Sequence, residues 1–447
     1  MSDKISIIHK SLKIRLYPSE DQKLLLNKTF GCCRLLYNER LAEHIEWYNA
    51  NKDLPKDQRS KFEGKLSKQL REEKYEFLSE AIAEPLIQSQ RNCEQAFNNF
   101  FKSVTKQRKG KRVGYPKFKS KKQHKDSFSI YMIYGNPLDW EHRLVIIPKL
   151  KQVKFRHAKD KSKKWISWFE EATAKHMTIS RNASGEYWCS ILFEREQDIY
   201  STIRPSKAIG LDFSPNSLYI NNLNEEAPNF KKAKQENIKK LTKLQRNLMR
   251  KQKDSKNREK ARIKLARFEN HIANIRKDYR EKETLRLVQN YDVIGIEDLN
   301  LRSMMKFSHN AKNYVDCAWY SFVTRLEQKA KLNNCLVIKS NRFYPSSKTC
   351  NHCGYINSEL TLKDRVWVCP NCGTKIIRDQ NAAQNLKENA LKILVDDLKS
   401  TLLLEQEEVM SMEDIEVNLF NGMIYGVSYE VESQSSDTLK RNSSIFS

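Results

Sequence analysis

No stretch of this 447-residue chain approaches the roughly 18 consecutive apolar residues of a membrane-spanning helix, which leaves no membrane partner to expect. The opening residues, MSDKISIIHKSLK, lack the apolar core of a secretory signal. Six of the ten cysteines (Cys32, Cys33, Cys93, Cys189, Cys317 and Cys335) lack the spacing of an extracellular disulfide framework. These absences predict an intracellular protein with those six thiols reduced: cytoplasmic, and nucleoid-associated if the source is prokaryotic. Acid is short as well, with 55 Asp+Glu against 81 Lys+Arg, a formal charge of +26. Such an excess is hard to rationalise for an enzyme of small metabolites and expected for a protein that neutralises many phosphates. What is present is globular: 39% hydrophobic and 10% aromatic residues, enough chain for two to four domains.

Along the chain, KSLKIRLY (10–17) reads as a strand ended by Pro18, and Ser19-Glu20-Asp21 as an acidic helix start, with helical patterning to about Phe101. From Lys106 to Lys125 there are ten Lys/Arg and no acid, punctuated by glycine and interleaved with Tyr115 and Phe118. A solvated loop explains the charge; the aromatics among Lys117 and Lys119 favour contact with nucleic acid, with core packing of Tyr115 and Phe118 as the alternative. Between about 126 and 200, alternation as in QVKFR, HMTISR and YWCSILFE predicts a small β-domain. Residues 231–283 carry twenty Lys/Arg against seven Asp/Glu on two apolar seams, a basic helical hairpin broken near Asp254-Ser255-Lys256-Asn257. After Ala390 the charge inverts, and the final SQSSDTLKRNSSIFS is expected to be disordered.

Cys350-x₂-Cys353-x₁₅-Cys369-x₂-Cys372 is the strongest local signal. Two C-x₂-C knuckles supply four thiolates and close a tetrahedral Zn²⁺ site, structural because no position is left for water. His352 lies inside the first knuckle and is expected to be exposed. Two carboxylates end apolar strands: Asp212 in KAIGLDFS and Glu297 in YDVIGIEDLN. A third, Asp379 in IIRDQNAAQNL, comes after the second knuckle at the start of a helix, where its simplest role is an N-cap. Three converging carboxylates would repel unless cations neutralise them. Mg²⁺, a hard ion taking oxygen ligands, suits such a set, and two ions suit phosphodiester hydrolysis.

The ordered set GLDFS, VIGIEDLN, FYPSSKTCNHCG, CPNCG and RDQNAAQNL resembles the TnpB family of transposon-encoded RNA-guided DNA endonucleases, relatives of the compact type V CRISPR effectors. The resemblance extends upstream through LKIRLYPSEDQKLLLNKTFGCCRLLYNERL, GYPKFKSKK and SKNREKARIKLARFENHIANIRKDY, covering about residues 10–390. It implies an α+β multidomain fold: an RNase H-like RuvC nuclease domain with an inserted zinc ribbon, a β-barrel-like wedge domain and a helical recognition lobe. The implied boundaries are 1–18 for the first wedge strand, 19–125 for the recognition lobe and 126–204 for the remaining wedge strands. The RuvC domain takes 205–345 with the hairpin 231–283, the ribbon 346–375, the final RuvC helix 376–395, and a partly disordered acidic extension 396–447.

By the same resemblance Asp212, Glu297 and Asp379 are the catalytic acids and the ligands of two Mg²⁺, and the four cysteines hold one structural Zn²⁺. The partners implied are a guide RNA encoded near the gene and a double-stranded DNA target beside a short motif, bound by a monomer. Base pairing then supplies most of the specificity. Arg342, Lys348 and Arg378 are candidates to steer phosphate. Two departures stand out: Ile377 occupies a place that is commonly acidic in the family, and the first motif reads Asp212-Phe213-Ser214 rather than Asp-Leu-Gly. Rival readings are a nuclease-inactive RNA-guided DNA-binding repressor of the same ancestry and a guide-independent zinc-ribbon nucleic-acid-binding protein.

Overall fold

The computed structural model describes residues 7–108, 110–123, 126–131, 135–156, 164–196, 200–307, 311–361, 363–402, 415–420 and 423–429. The expected disorder of the last fifteen residues lies outside them. The chain divides into two compact units, one from 1–197 with 254–267, the other from 198–253 with 268–447.

The first unit is built on a seven-stranded antiparallel sheet. Its strands are β1 (Ile7–Tyr17), β2 (Asp126–Ile130), β3 (Leu138–Asp139), β4 (Leu144–Ile147), β5 (Lys151–Arg156), β6 (Thr173–Arg181) and β7 (Tyr187–Glu196), in the order β2-β6-β7-β1-β5-β4-β3. Strand β1 sits mid-sheet between strands more than a hundred residues downstream, with Ile14 opposite Cys189 and Leu16 opposite Phe155. Among the described residues β2 and β3 form the two edges, so the expected barrel-like closure is not seen as strand pairing. Alternation puts Tyr187, Cys189, Ile191 and Phe193 of β7 inside. They share a core with Leu26, Phe30 and Leu36 of the helix α1 (Glu20–Asn51). That helix begins after Pro18 with a capping box: Gln22 N–H donates to Ser19 Oγ at 3.3 Å, and Ser19 N–H to Gln22 Oε1 at 3.0 Å. Helices α2 (Ser67–Glu73), α3 (Ala83–Val104) and α4 (Lys164–Glu170) also belong to this unit, as do residues 256–267 at the start of a long helix.

The second unit opens with β8 (Tyr200–Ile203) and then builds a four-stranded sheet from β9 (Ala208–Ser214), β10 (Leu218–Asn221), β11 (Val293–Glu297) and β12 (Leu336–Ser340), in the order β10-β9-β11-β12. The hairpin β9–β10 is antiparallel, while β9–β11 and β11–β12 are parallel. Between β10 and β11 lie α5 (Ala233–Glu236), α6 (Ile238–Met249) and α7 (Lys256–Asn290), the last two flanking the predicted break of the basic hairpin. Helices α8 (Leu301–Phe307), α9 (Ala311–Cys317) and α10 (Trp319–Ala330) precede β12.

Parallel strands covered on both faces read as continuous apolar runs, and here each face has its own helix. Ile209, Leu211 and Phe213 of β9 and Ile294 and Ile296 of β11 pack with Trp319, Phe322 and Leu326 of α10. By the two-residue period, 208, 210 and 212 of β9 share the other face with 293, 295 and 297 of β11. That face carries α11 (Arg378–Leu402), whose Ala390, Leu394 and Leu398 join Ala208 and Val293 in a separate core.

Two glycines set how close α11 comes. Gly210 and Gly295 are directly paired across β9 and β11. A Cβ on Gly210 would strike the Ala383 carbonyl, and one on Gly295 the Leu386 carbonyl. Only a bare backbone lets the helix lie there.

The short hairpin β13 (Val366–Val368) and β14 (Lys375–Ile377) belongs to the cysteine-bearing insertion between β12 and α11. The acidic extension also contributes. Strands β15 (Ile415–Phe420) and β16 (Met423–Tyr429) form an antiparallel hairpin that adds to β8, burying Val417 against Ile203 and the end of α11.

Candidate functional site: two clusters of metal-binding side chains

The cysteine cluster is formed by two matched turns. Cys350 N–H donates to the Tyr355 carbonyl at 2.8 Å, and Gly354 N–H to the Cys350 carbonyl at 2.8 Å. In the second turn Cys369 N–H donates to the Thr374 carbonyl and Gly373 N–H to the Cys369 carbonyl, both at 2.9 Å. Gly354 and Gly373 take φ of +74° and +69°, the left-handed geometry that closes each turn. The four sulfurs lie within 4.8 Å of one another, Cys350 to Cys372 at 3.7 Å and Cys353 to Cys369 at 3.6 Å. Four thiolates about 2.3 Å from a tetrahedral Zn²⁺ would stand about 3.8 Å apart, so this arrangement fits the ion. Hydrogen bonding from Thr374 pulls the Cys372 thiol down to about 6, toward the thiolate a metal needs. Leu360, Trp367 and Ile376 make a small core beside the cluster.

The carboxylates meet through sheet register. Ile296 pairs with Leu211, so Asp212 and Glu297 are the next residues on neighbouring parallel strands, on the face covered by α11. The segments match: Ile209-Gly210-Leu211-Asp212 and Ile294-Gly295-Ile296-Glu297 place glycine and acid at the same two levels. Asp379 enters from the first turn of α11. Asp212 is buried, and its pKa is driven well above the carboxylate range by desolvation and then by the charges of Glu297 and Asp379. Burial also raises Glu297, opposed by the Ser346 hydroxyl, which donates to Glu297 Oε1 at 2.5 Å.

Asp379 is not an N-cap. It is the second residue of the helix, and its carboxylate is held by Arg365 Nη1 at 2.9 Å and by Arg378 Nε and Nη2 at 3.0 and 2.8 Å. Among the described residues the cysteines are the group of three or more ligand atoms within 4.8 Å; the three carboxylates are not drawn that close. Hard oxygen donors, one of them buried and destabilised as an anion by the others, nevertheless match the chemistry that a divalent cation neutralises.

The other predicted contacts fall at scattered places. Arg378 is buried against Asp379; Arg342 pairs with Asp298 at 2.5 Å; Lys348 donates to the Ser358 carbonyl at 2.8 Å. In the first unit Tyr115 packs edge-on to Phe97 and Phe100 at 5.4 and 5.2 Å, and Phe118 is exposed. Lys119 lies over the Tyr37 ring at 3.8 Å, and its backbone exchanges two hydrogen bonds with the Asn38 side chain. Lys117 is exposed.

Sequence reasoning missed Arg365, Ser346 and an asparagine pair. Asn381 and Asn385, buried one turn apart on α11, donate to the Thr349 carbonyl at 2.7 Å each, and Asn385 also to the Ser346 carbonyl at 2.7 Å. Asn381 Oδ1 accepts from Asn351 N–H at 3.0 Å. The helix bearing the third acid is thereby fastened to the loop bearing Ser346 and to the first cysteine turn. The i, i+4 spacing within NAAQN was the available signal.

Comparison with known proteins gives the class. Residues 190–308 match the family described as "Probable transposase" (OrfB_IS605), 319–386 the "Cas12f1-like, TNB domain" and 6–53 a helix-turn-helix domain of the same OrfB_IS605 group. A Streptomyces pristinaespiralis protein named "Putative RNA-guided DNA endonuclease" is 32% identical over 385 residues, covering 85% of this chain and 89% of the relative. The Escherichia coli K12 protein "Putative RNA-guided DNA endonuclease InsQ" is 29% identical over 401 residues, covering 84% and 91%. A solved Cas12f1–sgRNA–target DNA complex aligns with 85% of this chain and 99% of its own at 12% identity, with a TM-score of 0.47. The chain belongs to the OrfB/TnpB family of transposon-encoded RNA-guided DNA endonucleases.

Proposed function

We propose that this protein cuts DNA under the direction of a guide RNA, through one RuvC-type site made of Asp212, Glu297 and Asp379. The observation that carries the reading is the register: two acids at equal heights on adjacent parallel strands, on the face where α11 delivers the third. When bound at these carboxylates, Mg²⁺ would supply Lewis-acid stabilisation of the phosphodiester and a water made more nucleophilic. The chain's own residues do the positioning. Asp212 and Glu297 are held by the sheet, Ser346 fixes which Glu297 oxygen is turned away, and Arg365 and Arg378 hold Asp379 by exchangeable ion pairs.

The zinc cluster is structural in this reading: it organises the segment from which β14 runs directly into α11. Strand β1 with 126–204 acts as the wedge domain and 19–125 as the recognition lobe. Together they hold a guide RNA and read a short motif beside a double-stranded target, the protein working as a monomer. The charge of +26 supplies the phosphate affinity this needs.

The test is to express the gene with its flanking DNA, sequence the copurified RNA, and challenge the complex with a matching plasmid library in Mg²⁺. A discrete RNA and guide-matched cleavage are expected, the cleavage reduced on the order of 10²- to 10³-fold by Asp212→Ala while RNA binding persists. Target binding without cleavage by the wild type would transfer the protein to the repressor reading; the absence of any discrete RNA would leave the guide-independent one.

A further inference from the structure

The loop after β12 carries the most exposed large apolar side chain among the described residues, Phe343, 88% exposed, in a segment that is otherwise anchored. Asn341 Oδ1 accepts from Phe343 N–H at 3.0 Å, and Tyr344 N–H closes on the Asn341 carbonyl at 2.9 Å, an Asx turn that fixes the direction of the backbone. The next residues turn inward: Tyr344 is half-buried with its hydroxyl 3.4 Å from the Asn385 carbonyl, and Ser346 is buried with its hydroxyl on Glu297. Lys348 and Thr349 N–H both donate to the Pro345 carbonyl at 3.0 Å. The exposure of Phe343 is therefore built in, since the loop around it is held from both sides.

Its address is the end of the sheet where the acids lie. Ser340, the last residue of β12, pairs with Glu297 of β11, and Phe343 comes three residues later. The cations beside it are engaged, Arg342 with Asp298 and Lys348 with a carbonyl, whereas Phe343 has no ring or cation partner among the described residues. A flat apolar face next to a phosphodiester-cutting centre suits the one apolar surface that an unpaired nucleic-acid strand offers, the face of a base.

We propose that Phe343 stacks on a base of the single DNA strand entering the carboxylate site, and so positions the strand for cleavage. This rests on the nuclease reading above. Phe343 is a positioning residue: it touches the strand and supplies no ligand or proton to the reaction. A duplex has no free base face to offer, so the contact selects melted DNA.

The experiment compares wild type, Phe343→Ala, Phe343→Leu and Phe343→Trp in complex with guide RNA, on a DNA target whose displaced strand is pre-melted. Cleavage by Phe343→Ala and Phe343→Leu should fall about 5- to 100-fold, the range that loss of one stacked base produces, mainly through a raised KM, with Phe343→Trp near wild type. Unchanged zinc content and thermal midpoint confirm that all four are folded. Independently of cleavage, the indole added by Phe343→Trp should be quenched by single-stranded oligonucleotide, without Mg²⁺, and much less by duplex of the same sequence. Cleavage by Phe343→Ala within twofold of wild type, rescue by leucine as good as by tryptophan, or equal quenching by both DNA forms would each overturn the proposal. If the wild type itself does not cut, the nuclease reading fails, and the quenching comparison alone decides whether the ring takes a base.

Discussion

The four-cysteine and three-carboxylate clusters of the second unit are assembled in opposite ways. The cysteines come from two short turns of one segment, each shaped by its own backbone hydrogen bonds, and their spacing already matches a tetrahedral ion. The carboxylates come from β9, β11 and α11, far apart in sequence, and meet only after the sheet has formed and the helix has seated on its glycines. On the function proposed above, zinc belongs to folding, and the acids are a charge concentration that folding tolerates. Cys350 to Cys372 should be lost together with local structure, whereas replacing an acid should leave the fold standing.

The largest effect expected is at zinc. Structural zinc contributes on the order of 10 kcal/mol of apparent binding free energy. Cys369→Ser, or chelation of the wild type, should remove the metal and strip hydrogen-exchange protection from residues 346–377. Ser346 sits on that segment, so Glu297 loses its partner as well. Full protection in a zinc-free protein would break the contrast between the clusters.

A smaller effect should separate them in the other direction. Gly295→Val drives a side chain into the Leu386 carbonyl, and overpacking of this kind costs about 1–3 kcal/mol. The thermal midpoint and guided cleavage should both fall, while zinc stoichiometry by atomic spectroscopy stays at one. An unchanged midpoint would mean that α11 is not seated on the sheet as described.

The smallest effect is a pH slope. Asp212 and Glu297 have raised pKa values in the folded protein, so above the ordinary carboxylate pKa near 4 the unfolded chain holds fewer of their protons than the folded one. Without divalent cation they make stability fall as pH rises from that value through their folded pKa. Asp212→Asn should accordingly raise the midpoint over wild type, by more at pH 8 than at pH 5, and Mg²⁺ should shrink the gap. A gap independent of pH would remove the electrostatic account of the site.

Much of this was legible in the residues because it was local. The helix start at Ser19, the cysteine turns and the break near Asp254 are each specified within a few positions. The alternation of β7 and the apolar runs of β9 and β11 identify strands, and the resemblance to the family singled out one acid on each of the last two. The hidden part was relational. Nothing within LYPSE shows that β1 pairs with β7, and nothing within SSKTC shows that α11's asparagines take its carbonyls. The acidic extension was the least legible part: IEVNLF and MIYGVSY carry strand patterning, and nothing local shows that they add to β8. Nor does the sequence show the partner of Arg378, which pairs with the Asp379 carboxylate.

The direct passage from β14 into α11 fixes a count of residues. Ile377 is the last residue of the strand and Arg378 the first of the helix, so no loop separates β14 from the helix that carries Asp379. One residue inserted in β14 turns its later side chains to the opposite face, and one inserted at the head of α11 rotates the rest of the helix by about 100°. Between Cys372 and Asp379 the chain should therefore tolerate substitutions, Ile377 included, far better than any change of length.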